Sequence, residues 1–302
     1  MEMNKKQTFI MTVVTFVIFL GVAGLLLGNL TSKNDVVYVI LTIDTEQDLP
    51  PYLDTYVGIE EGIPKIVTLL DKYDARATFL VTGDVALRYP GVIESLSKKG
   101  HEIGSHGMYH ENFNNLNFTE KFGVIRNSTL VIKNVTGKDV TSFRAPYHSS
   151  GTELVNILEE NGYLVEASAH PQSHYPYFPS KDDWLKEGSS KILRIPVSLT
   201  PAYFYPTSFY TSSWVEGYQK VVENQKDKPI KVVVIGMHPW EFVPIEYEGQ
   251  ETYTRTSGDY TFNQFDNFLN YLKEENVKFV TLTEFYTLFM ENDGYSKTQA
   301  LP

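Results

Sequence analysis

The sequence contains no cysteine. That absence removes disulfides, thiolate metal sites and thiol nucleophiles together. It fits a chain exported unfolded into an oxidising compartment, although many cytosolic proteins also lack cysteine. Positive charge is scarce as well. Lys and Arg total 26 against 37 Asp and Glu, for a formal net charge of −11. A nucleic-acid partner is therefore not expected, because neutralising phosphates requires a basic face. The acidic balance repels anionic polymers and tolerates neutral or cationic ones. Charged residues make up 21%, which fits neither a disordered chain nor a coiled coil. No internal repeat, low-complexity tract or linker is visible after residue 35, so one domain is the simplest organisation.

What is present suffices for a large core. The chain has 302 residues, of which 42% are apolar. The first 34 residues stand apart. Lys5 and Lys6 precede an uncharged run from Thr8 to Leu30, and Lys33 and Asp35 follow. About 20 apolar residues span a bilayer as a helix. Residues 1–34 therefore read as an N-terminal transmembrane anchor rather than a cleaved signal, whose apolar core is shorter. The basic start is expected to place the N-terminus in the cytoplasm and the C-terminal domain, residues 35–302, outside the cell membrane as a single-pass protein. Sequons at Asn29, Asn117, Asn127 and Asn134 arise often by chance and carry little weight.

From Asp35 onward, apolar runs alternate with amphipathic stretches. Strands are predicted at Val36–Ile43, Ala77–Val81, His101–Ser105, Thr141–Phe143, Tyr163–Ala169, Lys191–Val197, Lys231–Met237 and Val277–Leu282. Helices are predicted at Glu61–Tyr73, Gly91–Lys99, Thr119–Val135, Thr152–Glu160, Trp214–Asn224, Phe262–Glu275 and Thr283–Asn292. Such alternation predicts an α/β fold with a parallel sheet. Closure into a distorted (β/α) barrel of about seven strands removes the sheet edges. The segment Pro171–Ser190 lacks periodicity and reads as an insertion loop.

Polar residues gather at the predicted strand ends. Asp44 ends the first strand and Glu46 follows it; His106 ends the third, with His110 in the same segment; Arg144 and His238 end two more. In a parallel barrel these ends share one face, where barrel active sites sit. Two histidines four apart can face one ion if His106–His110 is a helical turn. A carboxylate would complete a two-histidine, one-carboxylate set with open positions for water and substrate. Zinc in such a site lowers the pKa of water to about 7, and the donor set also suits non-haem iron.

Four strings occur in order: Thr42–Glu46 (TIDTE), His101–Glu111 (HEIGSHGMYHE), Phe143–Tyr147 (FRAPY) and Gly236–Phe242 (GMHPWEF). Together they resemble the polysaccharide deacetylase family, carbohydrate esterase family 4 or the NodB homology domain. The second and third strings are specific and the outer two looser. The resemblance covers nearly everything after residue 35. It implies a distorted barrel, a divalent metal that is usually zinc, and hydrolysis of N-acetyl groups on a sugar polymer. It further implies Asp44 as general base, His106 and His110 as metal ligands, and Arg144 as the partner that orients the base. Tyr147 would give a backbone N–H to the oxyanion, and His238 would protonate the leaving amine. The sequence departs from the common pattern in its first string, where Thr45 replaces a second aspartate. It is therefore closer to an Asp-x-Glu branch, with Glu46 favoured over Asp48 as the carboxylate ligand.

Other residues have plainer readings. His101 reads as a strand residue, and His148, His170 and His174 as surface loop histidines. Asp182-Asp183-Trp184 resembles a family motif whose aspartate holds the arginine, or it is a solvated loop. Tyr203-Phe204-Tyr205, Phe209-Tyr210 and Trp240 offer sugar-stacking faces, unless they are core. Two further functions compete with deacetylation: hydrolysis of a small amide, which needs no membrane tether, and non-catalytic sugar binding, which has no need of the full acid, base and ligand set.

Overall fold

The computed structural model describes residues 36–198, 214–249 and 256–292. The predicted anchor of residues 1–34 and the aromatic residues 203–210 lie outside the described residues. Among the described residues, no helix is long and apolar enough to cross a membrane.

Among the described residues eight strands form one sheet: β1 (Val37–Thr45), β2 (Ala77–Val81), β3 (Glu102–Ser105), β4 (Ser142–Phe143), β5 (Val165–Glu166), β6 (Leu193–Arg194), β7 (Lys231–Met237) and β8 (Val277–Phe279). Their order is β6-β5-β4-β3-β2-β1-β7, with β8 also on β1. Every ladder is parallel. β7 runs along β1 from Val37↔Lys231 to Ile43↔Met237. The opposite edge of β1 is divided: β8 takes Val37–Val39 and β2 takes Leu41–Thr45. Among the described residues β6 and β7 share no ladder. Ser198 bridges them instead, donating its N–H to Val234 O at 2.9 Å and accepting the Val234 N–H on Oγ at 3.0 Å.

The apolar run of β1 is buried almost throughout, as parallel strands covered on both faces must be. The helices supply that cover. They are α1 (Ile63–Lys72), α2 (Gly83–Arg88), α3 (Pro90–Lys98), α4 (Phe118–Thr136), α5 (Thr152–Glu160), α6 (Trp214–Asn224), α7 (Asp259–Leu272) and α8 (Leu282–Asn292). α1 buries Ile63, Ile66, Leu69 and Leu70. α4 opens with a capping box between Asn117 and Glu120 and closes at left-handed Gly137, a common pairing of start and stop signals.

The predicted strands Tyr163–Ala169 and Lys191–Val197 shrink to two residues each. The backbone past β5 serves buried side chains instead of a ladder. The Ala167 carbonyl accepts from Arg144 Nε, those of Ser168 and Ala169 accept from Arg194 Nη2, and the Ser168 N–H donates to Glu166 Oε1. α2 was not predicted, since six residues are too few to show a helical period. The Pro171–Ser190 loop folds back on β6 through an antiparallel bridge between Tyr177 and Arg194, burying Tyr177 and Phe178.

Candidate metal centre and active site

The parallel strands bring their C-terminal ends to one rim. β1 carries Asp44 and leads to Glu46; β3 leads to His106, β4 to Arg144 and β7 to His238. The His106–His110 segment is not the helical turn expected. Gly107 (φ +77°) and His110 (φ +63°) are both left-handed, and the intervening loop reverses sharply. The N-terminus of α2 holds it there: the Gly83 and Asp84 N–H groups donate to the Gly107 and Met108 carbonyls at 3.0 and 2.9 Å.

The histidines converge on Glu46 Oε2, with His106 Nε2 at 3.0 Å and His110 Nε2 at 2.9 Å. Despite these distances, Glu46 Oε2 is buried without a well-directed hydrogen bond. His106 Nδ1 lies 2.8 Å from the Arg144 carbonyl. Donation there leaves Nε2 as a lone-pair donor, the usual arrangement of a metal-binding imidazole. Among the described residues this is the one group of three such side chains whose ligand atoms gather, all within 4.8 Å. One oxygen and two nitrogens presenting lone pairs to a common point fit a divalent cation better than they fit one another. Burial opposes the charge on Glu46, but His110 and His106 outweigh it and hold the carboxyl well below its ordinary range. Asp48 stands apart from this set. Its carboxylate accepts from Thr55 Oγ1 and from the Val57 and Gly58 N–H groups at 2.7–2.8 Å.

Asp44 is buried beside the triad. Arg144 donates to it from Nη1 at 2.6 Å, to Thr42 Oγ1 from Nη2 at 2.8 Å and to the Ala167 carbonyl from Nε at 2.8 Å. Burial alone would raise the Asp44 pKa, but Arg144 and then His106 and His238 hold it below its ordinary value. His238 Nε2 lies 3.9 Å from Asp44 Oδ2 and 3.7 Å from Glu46 Oε1. Its Nδ1 lies 3.0 Å from Glu241 Oε1. Burial pushes the imidazole pKa down, yet the Glu241 hydrogen bond and the surrounding carboxylates push it up to about 9. Trp240 stacks on His238 at 5.0 Å. The turn before α1 presses on this loop: a Cβ at Gly62 would lie 2.1 Å from the Pro239 carbonyl oxygen, so only glycine allows the approach.

The structure thus brings together Asp44, Glu46, His106, His110, Arg144 and His238. Tyr147 also sits at the rim, with left-handed backbone (φ +55°) and its ring 4.5 Å from that of His110. Other readings change. Trp240 is buried and offers no open stacking face. Asp183 pairs with Lys186, and Arg144 takes its carboxylate from Asp44, so the Asp182-Asp183-Trp184 string does not hold the arginine. His170 is buried, and His148 is enclosed enough that burial, reinforced by Arg144, pushes its pKa down to about 3. His170 is therefore not a surface histidine, and His148 is half-buried. Glu241 and Thr42 went unnoticed in sequence. Glu241 carried a signal, three residues beyond His238 within GMHPWEF.

A model of the polysaccharide deacetylase family matches residues 32–165. A peptidoglycan deacetylase of Helicobacter pylori is 29% identical over 128 residues, covering 42% of this chain and 44% of that protein. The peptidoglycan-N-acetylglucosamine deacetylase of Bacillus cereus is 29% identical over 134 residues, covering 43% and 44%. A chitin deacetylase of Colletotrichum lindemuthianum is 23% identical, covering 57% and 72%. The chain thus spans under half the length of the first and second of these. Among solved structures, an allantoinase superposes with a TM-score of 0.65 at 15% identity, covering 88% of this chain and 94% of that one. That likeness shows the fold alone. Residues 32–165 thus match the polysaccharide deacetylase family, and that stretch holds every residue of the first three strings.

Proposed function

We propose that this chain removes acetyl groups from an N-acetylated polysaccharide at the cell surface. The observation that carries the reading is the convergence of Glu46, His106 and His110 beside the Asp44–Arg144 pair and His238. Amide hydrolysis needs a nucleophile, a stabilised oxyanion and a protonated leaving group. Asp44 accepts the proton of the attacking water, and Arg144 keeps its carboxylate ionised and aimed. The backbone N–H of Tyr147 steadies the oxyanion. His238 delivers a proton to the nitrogen as the C–N bond breaks, releasing acetate and a free amine. A divalent cation held by Glu46, His106 and His110, zinc by our reading, would polarise the acetamide carbonyl and water when bound. Residues 1–34 anchor the protein in the cell membrane with the catalytic domain outside, as Lys5, Lys6 and the uncharged run after them suggest. The test is amine release from acetylated chito-oligosaccharides, with and without a chelator. Turnover confined to small cyclic amides would overturn the polymer assignment.

A further inference from the structure

Two exposed tyrosines meet on loops that flank the site. Tyr52 follows β1, six positions after Glu46, and Tyr247 follows β7, six positions after Glu241. Their ring centroids are 5.5 Å apart at an interplanar angle of 45°, yet Tyr52 remains 43% and Tyr247 36% exposed. An apolar cluster beneath them fixes one loop to the other: Leu49 packs with Trp240, Val243 and Ile245. Trp240 is also the residue stacked on His238. The aromatic pair is therefore tied to the strands that carry Asp44 and His238.

We propose that Tyr52 and Tyr247 form a stacking platform for a pyranose ring adjacent to the sugar being deacetylated. Resting on the deacetylase reading above, this assigns the site a preference for a polymer over a single sugar. The axial C–H face of a pyranose is flat and apolar and packs on aromatic rings, while its equatorial hydroxyls stay in water. A tyrosine pair that stays partly exposed suits such a ligand. The flanking residues narrow the choice. Asp54, Glu246 and Glu248 are all exposed on the same two loops. They disfavour an anionic polymer and admit a neutral N-acetyl sugar or a cationic, already deacetylated one.

The test is binding of tetra-N-acetylchitotetraose to the full chain by calorimetry, compared with monomeric N-acetylglucosamine. Tyr52→Ala and Tyr247→Ala should each weaken tetramer binding about 5- to 10-fold, the range of one aromatic contact, and leave monomer binding unchanged. Phe at either position should bind like the unsubstituted chain, and Tyr52→Leu, which keeps apolar bulk without a flat face, should weaken binding as Ala does. Unchanged tetramer affinity in the Leu and Ala variants, equal losses for monomer and tetramer, or no tetramer binding by the unsubstituted chain would each overturn the platform. Amine release, measured in parallel, separates the two readings: tetramer binding that depends on the platform without amine release would sink the deacetylase assignment and leave the platform standing.

Discussion

Arg144 Nη1 donates to Asp44 Oδ1 at 2.6 Å, joining residues 100 positions apart in sequence. The guanidinium is fully buried and all three of its nitrogens donate, to Asp44, Thr42 and Ala167. Arg144→Met would leave the Asp44 charge buried and unpaired. It should cost about 3–5 kcal/mol in unfolding free energy, read by urea denaturation. Asp44→Asn should keep a folded protein and lose several orders of magnitude in kcat. Full stability of the Met variant would mean that the pair does not hold these strands together.

The two carboxylates after β1 should separate cleanly in metal analysis. Glu46→Ala should lose most bound metal after dialysis. Asp48→Ala should retain it but melt earlier, because three donors from Thr55, Val57 and Gly58 lose their acceptor, at about 1–3 kcal/mol for each buried group left unpaired. The reverse pattern would move the ligand role to Asp48.

His238 is charged below about 9, so an acid role predicts activity that falls as pH rises through that value. Glu241→Gln removes the charge that favours the imidazolium, and should move the alkaline limb to lower pH with metal content unchanged. His238→Asn should lose several orders of magnitude in kcat, and the Asp44→Asn, His238→Asn double variant should be little worse than either single one. An alkaline limb that stays in place in Glu241→Gln would remove Glu241 from any part in tuning the acid.

Acid should destabilise the fold through His148. The imidazole is held neutral, with its pKa near 3, and its Nδ1 accepts the Ala169 N–H at 3.1 Å. Unfolded, it would titrate near its ordinary 6.5. Its contribution is therefore complete above that pH and is lost as pH falls toward 3, by at most about tenfold per pH unit in the folding equilibrium. His148→Asn, which keeps a local acceptor without the titration, should flatten the urea midpoint between pH 6 and 4. An equally steep decline in the variant would assign the acid sensitivity elsewhere.

Much of the fold was readable because long apolar runs announce themselves. Ala77–Val81, Thr152–Glu160, Trp214–Asn224 and Lys231–Met237 match their predicted bounds. β5 and β6 were overdrawn because nothing local reveals that Arg144 and Arg194 claim the carbonyls of Ala167, Ser168 and Ala169. The gathering of acid, base and ligand candidates on one rim followed from strand-end placement, which a parallel barrel turns into proximity. The path of the His106–His110 loop did not, because it depends on N–H groups from α2, a helix too short to announce itself. The burial of His170 and half-burial of His148 were equally invisible, since both sit in segments that read as polar loop.

The divided edge of β1 sets an order on biosynthesis. Leu41–Thr45, the half that carries Asp44, pairs with β2, which follows within the next forty residues. Val37–Val39 must wait for β8, almost at the end of the described chain. A nascent chain can therefore pair one edge of the catalytic half with β2 early, while Val37–Val39 keeps both edges open to wrong partners until β7 and β8 emerge. Pulse-labelled hydrogen exchange during refolding should show amides next to β2 protected ahead of those next to β8, and the unfilled edge is where a chaperone would be needed.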